Sequence, residues 1–163
     1  MWSIIDKYLI DVAEAINVER SHLILARSCN DGDCEITEEN CFHGYLKPDY
    51  GYGSRLARYL VRNTVTTTEV TSWGLYEFPS CCAFCVSTQA YVSPIFQNKG
   101  VNKLSNTFRQ HLAKMADYSA LICTDVDHNV AERRTLKTNG FKDIYSIRNL
   151  RTGNLVHISV KEL

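Results

Sequence analysis

Apolar residues open the chain with a helical period: Ile4, Ile5, Tyr8, Leu9, Val12, Ala13 and Ile16 fall on one stripe, and Ser3 precedes Asp6 with the spacing of a capping box. The pattern predicts a first helix entered at Ser3. Residues 22–28 read as a strand, Asn30-Asp31-Gly32-Asp33 as a turn before a polar segment reaching Asn40, and residues 45–53, with Pro48, as an irregular surface loop. Leu56, Tyr59 and Leu60 suggest a second short helix, and the β-branched residues of 64–71 suggest a strand. Trp73-Gly74 then marks a turn, residues 75–78 a strand, Pro79-Ser80 another turn, and residues 82–92 a further strand, which together make a three-strand meander.

Leu104, Phe108, Leu112 and Met115 recur at steps of four, four and three, so a main helix follows that meander. The run Ala120-Leu121-Ile122-Cys123-Thr124 has the look of a fully buried strand, and a short helix ending at Asn139-Gly140-Phe141 comes after it. Residues 141–148 and 155–160 read as two strands joined in a hairpin around Thr152-Gly153-Asn154. Helices and strands mix along the chain without repeats or linkers. The expected class is α/β (α+β), a mixed central sheet flanked by helices, in one domain spanning residues 1–163.

Composition narrows the function classes. Eighteen basic residues balance 18 acidic ones, so the chain lacks the positive field by which proteins hold nucleic acid through its phosphates. No apolar run approaches the roughly 20 residues that cross a bilayer, and Met1-Trp2-Ser3 is no leader, which points to a cytoplasmic protein without membrane partners. The seven cysteines, Cys29, Cys34, Cys41, Cys81, Cys82, Cys85 and Cys123, form no familiar disulfide framework, and reduced thiols fit that compartment. Cys82 and Cys85 have the spacing of a metal knuckle that Cys29, Cys34, Cys41 or His43 would have to complete. No second pair exists, and in a strand the two would face opposite ways. His43, His111, His128 and His157 show no ligand spacing either, so no metal is expected.

The segment of candidate chemistry runs from Val92 to Asn102, between a strand pattern and the main helix. Unpaired backbone N–H groups and the positive end of a helix macrodipole make such a junction a seat for a diphosphate. Gly100 permits close approach, Lys99 adds a positive charge and Gln97 a side-chain amide. The competing reading is an ordinary strand-to-helix connection capped by Asn102.

Val92-Ser93-Pro94 and Gln97-Asn98-Lys99-Gly100-Val101-Asn102 resemble the acetyl-CoA loop of the GNAT superfamily of N-acetyltransferases, V-x-P followed by Q/R-x-x-G-x-G/A and a helix. Asn102 departs from the pattern, standing where the family has Gly or Ala. Downstream, Asn129 and Gly140-Phe141 match N-x-x-A-x-x-L-Y-x-x-x-G-F, with Leu136 at the place of the Tyr that commonly protonates the leaving thiolate. The resemblance implies a GNAT-like sheet whose strands 82–92 and 120–124 splay apart to admit the pantetheine arm. Tyr91 and Val92 would bond that arm through their backbone, Asn129 from the other side, and Gln97 to Asn102 would hold the diphosphate. It also implies acetyl-CoA as cosubstrate and an amine, of a small molecule or a protein, as acceptor.

Cys85, Val86, Ser87, Thr88 and Gln89 supply no carboxylate where many relatives carry the base, which leaves Glu77 and Asp125 as candidates. Tyr145 and Tyr118 are the candidate acids; Arg133 and Arg134 are candidate contacts for the phosphates, and Tyr45, Tyr50 and Tyr52 for the acceptor or a partner. Two other functions are weighed against acetyl transfer. In one, a binding or structural protein keeps the fold while Asn102 and Leu136 record lost chemistry; in the other, the fold modifies a nucleic-acid base, which the neutral charge disfavours.

Overall fold

The computed structural model describes residues 2–29, 32–40, 57–79, 81 and 83–163. Its elements are α1 (Trp2–Ile16), β1 (Leu23–Cys29), β2 (Gly32–Glu35), β3 (Ala57–Asn63), β4 (Glu69–Glu77), β5 (Phe84–Val92), α2 (Val101–Met115), β6 (Ala120–Val126), α3 (Val130–Thr138), β7 (Lys142–Arg148) and β8 (Leu155–Glu162). The strands form one sheet in the order β2-β1-β3-β4-β5-β6-β8-β7. β5 and β6 run parallel, and the other neighbouring pairs are antiparallel. α2 lies over β4, β5 and β6, with α1 packed along one flank and α3 along the other. No described helix is long and apolar enough to cross a membrane.

The periodic segments fold as their patterns require. Ile5, Tyr8, Leu9, Val12, Ala13 and Ile16 are the buried face of α1, and Phe108 and Leu112 sit on the buried face of α2. The two helices meet through aromatic rings. Tyr8 stacks on Phe108 with centroids 4.3 Å apart, and Trp73 meets Tyr8 and Phe108 edge-on at 6.0 Å each. Such pairs contribute about 0.5–1.5 kcal/mol each beyond the area they bury. Because Trp73 projects from β4, this cluster sets the position of α2 on the sheet.

Several local expectations are corrected. α1 already includes Trp2, so Ser3 lies in its first turn and is not the cap. The polar stretch after residue 31 contains β2, which pairs with β1 from Ala26↔Glu35 to Cys29↔Gly32. Tyr59 and Leu60 belong to β3 and not to a helix. Tyr59, Leu60 and Val61 are all buried, because both faces of this central strand are covered and the alternation that marks a strand is erased. The strand expected at residues 64–71 is present only from Glu69, and residues 64–66 are a turn. Asn63 Oδ1 accepts hydrogen bonds from Val65 N and Thr66 N, the chain reverses, and β4 begins only at Glu69.

Trp73-Gly74 is no turn either. β4 runs straight through it, and the register with β5 shifts between Ser72 and Gly74 opposite Gln89, whose φ is +53°. A meander is present, built of β3, β4 and β5, with other boundaries than the spacing indicated. The expected loop at residues 45–53, His43 and Cys82 lie outside the described residues. The expectation of reduced thiols fails at Cys34, which is disulfide-bonded, whereas Cys81, Cys85 and Cys123 are free.

Candidate active site

The parallel pairing of β5 with β6 runs from Phe84↔Ala120 to Ser87↔Cys123 and stops there. Beyond it the two strands part, and a cleft of about 200 Å³ opens whose lining includes Ser87, Gln89, Cys123, Asp125, Asn129 and Glu132. The end of β5 then feeds a short 3₁₀ turn, Pro94–Phe96, and the loop to α2. Asn98 (φ +62°) and Gly100 (φ +81°) both take left-handed backbone there. Glycine adopts that conformation without strain, and a side chain on residue 100 would meet nothing within 4 Å, so the loop faces open space.

Gly100, and not Asn102, is the residue that caps α2; no side chain bonds this helix end and no acid stands in its first turn. The first helical bond runs from Leu104 N to Gly100 O at 3.1 Å, which leaves the amides of Val101, Asn102 and Lys103 without a carbonyl of the helix behind them. Lys99 is exposed beside them. Gln97 turns back, its Nε2 donating to Val92 O at 3.2 Å. Asn102 points across the cleft: its Nδ2 donates to Glu132 Oε2 at 2.7 Å, and its Oδ1 lies 3.5 Å from Arg109 Nη2.

Arg109 is 1% exposed and sits over the Trp73 ring at 5.9 Å. It donates to Ser87 Oγ at 2.8 Å and to Ser105 O at 3.2 Å, tying α2 to β5 at the point where the strands part. Sequence reading missed this residue. The available signal was a charge set between Phe108 and Leu112, residues of the face turned to the core.

Asp125 is 6% exposed on the β6 side of the cleft. Its Oδ2 takes a 2.9 Å bond from Arg133 Nη1, while Oδ1 is buried with no partner among the described residues. Arg133 also reaches Asp143 at 2.9 Å, and Ser159 Oγ donates to that carboxylate at 2.7 Å. The serine hydrogen bond first, then the guanidinium, holds Asp143 below the ordinary carboxylate value. Burial pushes the Cys123 thiol up to about 12, so this cleft residue is a neutral thiol at physiological pH and not a thiolate nucleophile.

Asn129 caps α3, its Oδ1 accepting from Glu132 N at 3.2 Å. Leu136 is 2% exposed and packs in the core. Asp125 and Asn129 therefore line one cleft together with Arg109 and Glu132, to both of which Asn102 of α2 bonds, whereas Lys99, Gly100 and Lys103 line a second groove of about 760 Å³ between α2 and α1. Glu77 does not join them. It pairs with Cys85 before the strands part and accepts a hydrogen bond from Tyr118 Oη at 3.2 Å. Tyr145 stands on β7, the outermost strand, and is 61% exposed.

A mixed sheet with a parallel pair that splays beside an uncapped helix end is the architecture of the GNAT acetyltransferases, and the chain has that fold. A GNAT-family acetyltransferase from Elizabethkingia anophelis solved with acetyl-CoA bound is similar with a TM-score of 0.63 at 14% identity, over 87% of this chain and 99% of that one. The ribosomal-protein-S5-alanine acetyltransferase from Vibrio fischeri is similar with a TM-score of 0.59 at 10% identity, over 76% and 65% of the two chains. A GNAT-family acetyltransferase from Bacillus anthracis has a TM-score of 0.56 at 11% identity, over 64% and 65%. No family model and no curated protein matches the sequence.

Proposed function

We propose that this protein transfers the acetyl group of acetyl-CoA to an amine of a small molecule or a protein. The observation that carries the reading is the parting of β5 and β6 after Ser87 and Cys123, next to the free amides of Val101, Asn102 and Lys103. Two features of the chain fit such a cosubstrate. The space against Gly100 is open, and among the described residues the buried Asp125 Oδ1 has no N–H or O–H donor of the kind a buried carboxylate oxygen requires.

In this reading Lys99 and the amides from Gly100 to Lys103 take the diphosphate, with Gln97 and Asn98 shaping the loop. The backbone of Tyr91 and Val92 and the side chain of Asn129 take the pantetheine arm. The bound thioester supplies an activated acetyl group. The chain's own part is to hold an amine beside it, worth far more than any one proton transfer, and to receive the nitrogen's proton. Asp125 Oδ1 is the proposed receiving atom, since Oδ2 is engaged by Arg133. Glu77 is engaged by Tyr118 beside Cys85 and Tyr145 stands two strands away on β7, so neither is given that role, and the buried Leu136 offers no proton to a leaving thiolate.

A second reading, a binding or structural protein without catalysis, is favoured by the Asn102–Glu132 bridge, which crosses the cleft between the two helix ends and sets a carboxylate where phosphates would lie. Thermal unfolding with acetyl-CoA separates the readings from an unrelated ligand. At about 100 times its dissociation constant the cosubstrate stabilises by about 2.7 kcal/mol, a rise of roughly 5–10 °C for a chain this size. Release of CoA thiol with a panel of amines and peptides then supports transfer. A shift without thiol release supports the second reading, and no shift overturns both uses of the cofactor.

A further inference from the structure

The last two strands set a serine, a histidine and a carboxylate in one hydrogen-bonded line. Ser146 of β7 stands opposite His157 of β8, with its Oγ 2.7 Å from His157 Nδ1, and Asp127 Oδ1, one residue past the end of β6, lies 3.0 Å from His157 Nε2. The backbone explains the closeness. Asp127 N donates to Leu155 O, so Leu155 and every second residue after it, His157 included, turn their N–H and C=O groups toward β6. Ser146 and His157 are therefore a non-hydrogen-bonded pair, whose side chains are drawn together, and the Ser146 N–H points to the outer edge of β7, which no described strand covers.

Chemistry then places the proton. A carboxylate only accepts, so Nε2 of the neutral ring carries the hydrogen and Nδ1 offers its lone pair to the Ser146 hydroxyl. His157 is 7% exposed, whereas Ser146 is open to solvent. A held imidazole beside an accessible hydroxyl activates a serine, and that serine's own amide is a donor for the oxyanion.

We propose that Ser146, His157 and Asp127 form a second reactive site, which hydrolyses carboxylic esters of short acyl chains. Ser146 Oγ bonds to the ester carbonyl carbon as its proton passes to His157 Nδ1; the C–O bond breaks, and the alcohol leaves with that proton. Water then attacks the acyl-serine and gives a proton to Nδ1, and the acid departs as Ser146 regains its hydrogen. Asp127 is a positioning residue, acting through the tautomer of His157. Ser146 is exposed on the strand surface, outside both the cleft and the α1–α2 groove, so the site selects small esters by reactivity and not by shape. It works whether or not acetyl-CoA binds.

The probe is p-nitrophenyl acetate with the full chain. Release of p-nitrophenol is expected to continue beyond one equivalent of protein, and Ser146→Ala to lower its rate at least about tenfold. Ser28→Ala, at an exposed serine that bonds Asp33, leaves the rate unchanged. Diisopropyl fluorophosphate reads the site in the unmutated chain, its adduct mapping by mass to Ser146. Asp127→Asn, whose amide donates to Nε2 and moves the ring hydrogen to Nδ1, lowers the rate at least about tenfold while the nitrogen NMR shifts of His157 record the exchanged tautomer. Hydrolysis by Ser146→Ala within about twofold of the unmutated chain, an adduct on another residue, or full activity in Asp127→Asn with the tautomer exchanged would each overturn the proposal.

Discussion

Two helices linked through their first turns by Asn102 and Glu132 begin their chains of hydrogen bonds in opposite ways. α3 satisfies itself: Asn129 caps it, and Glu132 puts a negative charge in its first turn, where the helix dipole welcomes one. α2 begins on a left-handed glycine with no side-chain cap and no acid of its own, so its amides and its dipole remain available to an outside anion. In the proposed reading the unfinished helix end is where the diphosphate sits. A finished one is structure. The Asn102–Glu132 bridge joins the two and partly completes α2 from across the cleft.

Gly100→Val strikes the open end hardest. A β-branched residue at φ +81° strains the loop by about 1–3 kcal/mol, and acetyl-CoA affinity measured by calorimetry is expected to fall at least about tenfold. Affinity within twofold of the unmutated chain would show that the end of α2 is not where the diphosphate sits.

Asn129→Ala opens the finished end. Loss of the cap lowers stability to urea by about 1 kcal/mol, and a stability unchanged within error would mean that α3 does not depend on its cap.

Glu132→Gln, the mildest of the three, keeps a hydrogen-bond acceptor for Asn102 while removing the charge. Acetyl-CoA should bind a few-fold more tightly, because a carboxylate no longer opposes the phosphates near that end. Weaker binding would make Glu132 part of the seat and not its obstacle.

How much of this was legible in the sequence depends on how local the cause is. α1, α2, the short helix after Asn129 and the final hairpin announce themselves because each is set by a periodic stripe, a cap or a turn residue within a few positions. β3 and β4 do not, since a strand covered on both faces loses its alternation, and the apolar spacing of Leu56, Tyr59 and Leu60 suits a helix equally well. Gly74 reads as a turn when seen alone and as part of a strand irregularity only once Gln89 is opposite.

The same divide runs through the site. The loop from Val92 to Asn102 and the cap at Asn129 are properties of contiguous residues, so the order of amino acids determined them, as it determined the mixed class of the fold. Only the tertiary structure decided that Asp125 and not Glu77 reaches the cleft, that Arg109 lies buried against Ser87, and that Asn102 spans to Glu132. Those partners are 22 and 30 residues apart in the chain. Pairings across such distances follow from how helices seat on a sheet, and no local pattern encodes where a long side chain finds its acceptor.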